Sequence, residues 1–404
     1  MFKFVLHVLV IALFFSCEHS EIDHVQEVNI PAGSGSGQSD LMVSRNGDLF
    51  LSWIQTDSLN MSKLYISQYE KGQWLSPVLI AKGNNWFVNW ADFPSIENWG
   101  DKNLTAHYLQ KSGSDTYAYD VKLCVSTDYG KTWGNSFSPH NDGTLTEHGF
   151  VSKVGVSDST YRVAWLDGRQ FAYAEKDSGF QKQMSLRSAV FGDFDTPILE
   201  DLIDNRVCDC CQTALTMTQD GPLIVYRNRT EDEIRDIYFS RYVENEWSDP
   251  QPVYNDNWKI HGCPVNGPAV QSKGENVAVA WFAMNGEFPE VKLSFLNNSG
   301  MSFNDPIAMD YTYPSGRIDL AWIDEKDLIV SWMDQMDTNS TVVLQKASLD
   351  GSKGPLHTIT ITSAERSTGF PRMTIYDDMI WLTWTEIANT SHVKVVKFPL
   401  DKVD

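Results

Sequence analysis

The sequence predicts an all-β fold, a β-propeller of seven blades, and three observations predict it. An alternating apolar stretch ending in an aromatic residue recurs along the chain. It appears first as Leu49-Phe50-Leu51-Ser52-Trp53, and its later copies end at Tyr108, Trp165, Tyr226, Trp281, Trp332 and Trp384, 51 to 61 residues apart. Short strands and polar turns surround each copy, as in Arg45-Asn46-Gly47-Asp48 and Lys273-Gly274-Glu275-Asn276. No stretch keeps a helical period over a useful length. Four short strands per unit at near-constant spacing describe blades around a ring.

The N-terminus stands apart from the repeats. Met1-Phe2-Lys3 and the apolar run Phe4 to Phe15 read as a secretory signal peptide over residues 1–16, too short to span a bilayer, which takes about 20 residues. Ser16-Cys17 resembles a bacterial lipoprotein processing site, so Cys17 is the expected lipidation site and residues 17–26 a tether. The propeller occupies residues 27–404. The expected location is a bacterial cell envelope, the outer membrane or cell surface, with the lipid as the sole membrane contact.

Composition narrows the partners. With 32 Lys+Arg against 53 Asp+Glu the formal net charge is -21, which argues against tracking the phosphates of a nucleic acid. Aromatics at 12%, including 14 Trp, exclude a disordered chain. A monomer is expected, with no cofactor.

Closure of the ring is read from its ends. The seventh unit runs out after one outer strand, His392 to Phe398, whereas Val28-Asn29-Ile30-Pro31 precedes the first unit as an orphan. Pairing the two removes two sheet edges. Six blades with an irregular extra unit is the alternative count.

Ser126-Thr127-Asp128-Tyr129-Gly130-Lys131-Thr132-Trp133 matches the Asp-box pattern Ser-x-Asp-x-Gly-x-Thr-Trp, and a decayed copy follows at residues 298–303. On these residues the chain resembles the sialidase-like, Asp-box (BNR-repeat) secreted bacterial propellers, often labelled exo-alpha-sialidase-like. The segments Val88 to Pro94 and Gly262 to Pro268 resemble that group too. The resemblance implies a glycoside hydrolase, in which three Arg hold a sugar carboxylate, a Tyr activated by a Glu is the nucleophile and an Asp is the acid. Two departures stand against a strict sialidase. The loop Pro31 to Ser39 lacks the family's early Arg, and sialidase domains have six blades.

Propeller topology sorts the loops. Those entering each blade share one face, here the upper face, with those joining second and third strands. Eight of the 12 Arg map to upper-face loops: Arg169, Arg206, Arg227, Arg229, Arg235, Arg317, Arg366 and Arg372. A guanidinium fork suits carboxylate or sulfate, so an anionic glycan is the expected ligand, bound by Arg169, Arg227, Arg229, Arg317 and Arg372. Local pairing of Arg227, Arg229 and Arg235 with nearby acids is the competing reading. The same loops hold Asp92, His140, Asp142, Glu147, His148, Asp167, Asp204, His261, Tyr311 and Tyr313. From these, Asp92 or Asp167 is expected as the acid, and Tyr313 or His148 as nucleophile or base.

Cys208, Cys210, Cys211 and Cys263 lie on two successive upper-face loops. In an oxidising compartment two disulfides are the simplest outcome. A metal site with His261 is the alternative, although Cys-x-Cys-Cys fits no zinc spacing well, and no metal is assigned. Cys124 is expected as a small buried strand residue. Three functions follow: a glycan hydrolase, a lyase on uronate-containing glycan, or a non-catalytic binder of glycan or protein.

Overall fold

The structure, a computed structural model, describes residues 20–21, 25–192, 195–297, 300–310, 313–336 and 339–403. Cys17 and the expected leader lie outside them. Seven sheets follow one another around a ring. Blade 1 is built on Ser36–Val43, Leu49–Thr56 and Ser62–Glu70; blade 2 on Ile96–Trp99, Asn103–Lys111 and Tyr119–Ser126; blade 3 on His148–Gly155, Tyr161–Asp167, Met184–Phe191 and Leu199–Val207. Blade 4 begins at Ala214–Thr218, blade 5 at Ala269–Lys273, blade 6 at Pro314–Trp322 and blade 7 at Arg372–Tyr376. Six residues, Arg169–Ala174, form a short α-helix. No helix among the described residues is long and apolar enough to cross a membrane.

The recurring aromatic belongs to the second strand of each blade. Packed between neighbouring blades on both faces, Leu49–Thr56, Tyr161–Asp167 and Gly221–Arg227 are buried along nearly their whole length. Trp53, Trp165, Trp281 and Trp332 are 0–1% exposed. Burying such a side chain removes about 150–250 Å² from water, worth roughly 4–6 kcal/mol at about 25 cal/mol per Å². The Asp-box forms the expected turn. Ser126 Oγ and the Thr132 amide donate to Asp128, Gly130 sits at φ 81°, and Trp133 Nε1 donates to the Gly130 carbonyl. Cys124 is buried in its strand, as expected.

An N-terminal strand closes the ring. Gln26–Glu27 pairs antiparallel with Ser391–Pro399 of blade 7, and the Val28 amide donates to Val395 O at 2.8 Å. Pairing thus starts two residues before the expected Val28 and ends well before Pro31, which has no N–H to give.

Three innermost strands share a device. Their register shifts between Gly37 and Asp40, Gly149 and Ser152, and Gly316 and Asp319. At these bulges Gln38, Phe150 and Arg317 take φ of 50°, 53° and 57°. A side chain reaching over from the preceding blade accepts each displaced N–H: Thr385 Oγ1 at 3.2 Å, Asp92 Oδ1 at 2.8 Å and Asn266 Oδ1 at 2.9 Å. A Cβ on Gly149 or Gly316 would overlap Asp92 or Asn266, so both positions require glycine. Bulges of this kind re-aim backbone at the rim of a site.

Candidate functional site

Between blades 2 and 3 the upper face holds a carboxyl, a tyrosine and a second carboxyl in series. Tyr119 begins the third strand of blade 2 and is 1% exposed, its ring stacked on Phe87 with centroids 4.1 Å apart. Its hydroxyl lies 2.7 Å from Glu147 Oε1 and 3.2 Å from Asp92 Oδ2. One hydroxyl proton cannot serve two ionised carboxylates, so a second proton must sit on one of the acids. Burial pushes the Asp92 carboxyl up to about 8, with the Glu147 charge adding to it. Burial also pushes Glu147 up to about 7, with Asp209 contributing and the Tyr119 hydrogen bond opposing. Asp92 is sealed; Glu147 is partly exposed and forms the accessible end of the series.

A second cluster lies beside it. His148 is fully buried, stacked on His140 with centroids 3.8 Å apart; its Nδ1 lies 3.1 Å from Thr146 O and its Nε2 3.1 Å from Asp142 Oδ2. Burial opposes its charge, but Asp142 and Asp167 outweigh burial and raise its pKa. Arg169 grips Asp167 through Nε and Nη2, each at 2.7 Å, and Trp165 Nε1 donates at 2.8 Å. Burial resists ionisation of Asp167, yet Arg169 and His148 hold its pKa below the ordinary value. Two expectations are therefore corrected. Asp167 stays ionised and cannot serve as the acid, and His148 is closed off from a ligand at the surface. Asp92 was the other expected acid. It is instead the inner partner of Glu147.

The arginines do not gather around one mouth. Arg169 is also 3.2 Å from Glu200. Arg229 pairs with Glu233 and Asp209, as the competing local reading had it. Arg227 is 1% exposed and gives all its bonds to the carbonyls of Asn266, Arg235 and Phe282. Arg372 begins an inner strand and enters the central channel, a space of about 680 Å³, where it meets Asp40 at 3.1 Å and Asp319 at 3.2 Å. Tyr313 is exposed, and its backbone carbonyl accepts from Gln335. Among the described residues it meets none of the other expected site residues. Tyr311 lies outside them.

Arg317, like Arg227, is buried against backbone carbonyls. It has no carboxylate partner among the described residues; it donates to Gly369 O at 2.8 Å and lies 5.0 Å over the Trp90 ring. Burial, with Arg366 nearby, pushes it down to about 10. Trp90, Arg366, Ser367 and Gln38 line a shallow groove beside it. Trp90 falls in the segment that carried the family resemblance, yet the sequence reading gave it no role, and Tyr119 was missed altogether. The pairs Gly149-Phe150 and Gly316-Arg317, where a glycine precedes a bulky residue at the start of an inner strand, were the available signal.

The four upper-face cysteines cluster but are free thiols, which corrects the disulfide expectation. Cys208 Sγ stands 3.5 Å from Cys211 Sγ and 3.9 Å from Cys210 Sγ, against the roughly 2.05 Å of a disulfide. Contacts from Cys210 and Cys211 hold the Cys208 thiol well below its usual pKa, with Arg235 adding to them.

Fold and site define a seven-bladed propeller with a titrating carboxyl pair on its upper face. No family model matches the chain, and no curated protein matches it by sequence. Among solved structures it is similar to the BP39L lectin of Burkholderia pseudomallei, with TM-score 0.60 and 11% identity over 91% of this chain and 97% of the lectin. It is also similar to a PL25 polysaccharide lyase, an ulvan lyase, bound to -[GlcA(1-4)Rha3S]-, with TM-score 0.55 and 13% identity over 93% and 96%. A protein of unknown function from Dyadobacter fermentans matches with TM-score 0.51 and 11% identity over 92% and 98%. At these identities the likeness is one of fold.

Proposed function

We propose that this propeller acts on an acidic glycan at its upper face, as a sialidase-like hydrolase in which Glu147 transfers the proton. One observation carries the reading: the fold places a buried carboxyl, Asp92, where a hydroxyl or an amide does the same structural work in two other blades. The extra acid shares Tyr119 with Glu147, and burial, with Asp209 adding to it, brings Glu147 to about 7, where proton transfer is most effective. Protonated Glu147 donates to the leaving glycosidic oxygen; once ionised, it takes a proton from the attacking water. Trp90, with Arg317 over its ring and Phe370 stacked on it, forms the groove wall, and the exposed Arg366 offers charge to a carboxylate or sulfate. Trp90 and Asp92 are two residues apart, so their Cα atoms lie within about 7 Å. Groove and carboxyl pair thus belong to one stretch of chain. A lectin and a polysaccharide lyase on the same ring are consistent with a glycan ligand.

A second reading, a non-catalytic glycan binder, is favoured by the sealing of His148 and Asp167. The deciding experiment is incubation of the chain with acidic and neutral polysaccharides, following new reducing ends and the ultraviolet absorption of unsaturated sugars. Reducing ends without ultraviolet absorption, lost in Glu147→Gln, are expected. Unsaturated product would make the protein a lyase. Binding with neither product would make it a lectin-like propeller. Export as a Cys17-anchored lipoprotein completes the proposal; Cys17→Ser should move the protein from the detergent phase to the soluble fraction.

A further inference from the structure

The cysteine cluster sits apart from the glycan reading and does not depend on it. Cys208, Cys210 and Cys211 lie on the loop between blades 3 and 4, with all three sulfurs within 4.8 Å of one another. Cys263, from the loop between blades 4 and 5, contacts Cys210 from the exposed side. Separations of 3.5 and 3.9 Å are too long for a disulfide and place the sulfurs in direct contact. They bracket the edge of about 3.8 Å of a tetrahedron of sulfurs set about 2.3 Å from a central metal.

The surrounding charge gives a second, independent observation. Arg235 Nη1 donates to Cys208 Sγ at 3.2 Å and its Nε is buried with no hydrogen-bond partner, while its Nη2 pairs at 2.8 Å with Glu233, a carboxylate already shared with Arg229. Arg227 is buried against carbonyl oxygens alone, within electrostatic range of Cys211. Arg227 has no carboxylate partner among the described residues, Arg235 shares one with Arg229, and a buried guanidinium short of counter-charge is costly. Neutral thiols or disulfides supply none, whereas thiolates gathered on a metal supply a net negative charge between the two arginines.

We propose that Cys208, Cys210, Cys211 and Cys263 bind one thiophilic d10 cation, Zn(II) or Cu(I), with Arg235 and Arg227 neutralising the thiolates from behind. Binding ionises the thiols and releases their protons; no electron transfer is involved. Cys263 closes the site from the outside, so the site ties the loops entering blades 4 and 5 together.

The test uses the full chain, reduced and freed of metal, titrated with Zn(II) in one arm and with Cu(I) under anaerobic conditions in the other. Co(II) serves as the spectroscopic probe of thiolate ligation. One equivalent is expected to bind in at least one arm, protecting all four thiols from alkylation. Arg235→Gln should weaken binding by about 10–100-fold, as for other groups that orient ligands from outside the first layer. Cys210→Ser should abolish the Co(II)–thiolate band. Should that variant fail to fold, Cys263→Ser, at an exposed position, should still weaken binding and leave Cys263's three partners unprotected. Two disulfides among the four cysteines in protein isolated without reductant, together with no metal uptake after reduction, would overturn the proposal. So would uptake unchanged in Cys263→Ser and Arg235→Gln together.

Discussion

Blades 3 and 6 open with the same bulge and differ in the group that holds it. In blade 6 the acceptor is an amide, Asn266, which takes the Arg317 N–H at 2.9 Å and gives its own N–H to Ser315 O at 3.1 Å. In blade 3 the acceptor is a carboxyl, Asp92, which takes the Phe150 N–H at 2.8 Å and turns its other oxygen to Tyr119. The amide satisfies the backbone without a titrating group. The carboxyl satisfies it too, but burial drives its pKa to about 8 and couples it to Glu147. The molecule thus contains its own control, and the difference marks what the fold does not need.

Removing the exposed end of the series should have the largest effect. Glu147→Gln is expected to lower kcat by about 10²–10⁴-fold, or roughly 3–5 kcal/mol of transition-state stabilisation, while leaving thermal stability nearly unchanged. Steady-state kinetics beside calorimetry would separate the two effects; equal losses in both would reduce Glu147 to a structural acid.

Breaking the bulge comes next. Asp92→Ala strands the Phe150 amide and the inner side of Tyr119, at about 1–3 kcal/mol for each group left unsatisfied. Asp92→Asn copies blade 6 and should fold with most of that stability restored. Denaturant titration of both variants checks the parallel, and an Asp92→Asn protein as unstable as the alanine variant would end it.

The two acceptors should also differ in their response to pH. Asp92 carries a raised pKa, so the native state holds a proton that the unfolded chain gives up near pH 4. The stability it contributes is complete below that pH and is lost as pH rises through about 8, with a slope of up to about 1.4 kcal/mol per pH unit. Asp92→Asn should flatten this part of the profile, and Asn266→Asp should create a second one in blade 6. Melting temperatures at pH 5, 7 and 9 would show both.

The smallest effect on stability is expected at the groove. Arg366→Ala, on an exposed side chain, should change stability by less than about 0.5 kcal/mol. Affinity for an acidic glycan should fall about tenfold, equivalent to about 1.4 kcal/mol. Isothermal titration with acidic and neutral sugars would expose an effect that ignores charge.

The blades were legible because each is built from residues close in sequence, and closure because an unpaired strand stood at either end of the repeats. Trp53 and its later copies end strands buried on both faces, and the Asp-box is a local turn. The site was not legible in the same way. Asp92, Tyr119 and Glu147 come from the loop into blade 2, the third strand of that blade and the loop into blade 3. Asp167 and Asp92 are the same residue type, yet they differ because Arg169 stands two residues from one and no cation contacts the other. Arg372 was counted with the loops although it starts an inner strand, and that one-step difference points it into the channel. Arg227, beside Arg229 in the sequence pattern, ends a buried strand and meets only carbonyls.

The clasp formed by Gln26–Glu27 and Ser391–Pro399 bears on the order in which the protein can be made. Gln26–Glu27 finds its partner only when Ser391–Pro399, more than 360 residues later, has been synthesised. At about 5–20 residues per second, the nascent chain spends roughly 20–75 s as an open arc, with an unpaired edge at the growing end. During that interval its survival depends on the translation and export machinery keeping that edge from other chains. The ring closes only once Ser391–Pro399 has been added. Premature termination inside Ser391–Pro399 would therefore leave Gln26–Glu27 without its partner as well as remove the third strand of blade 7.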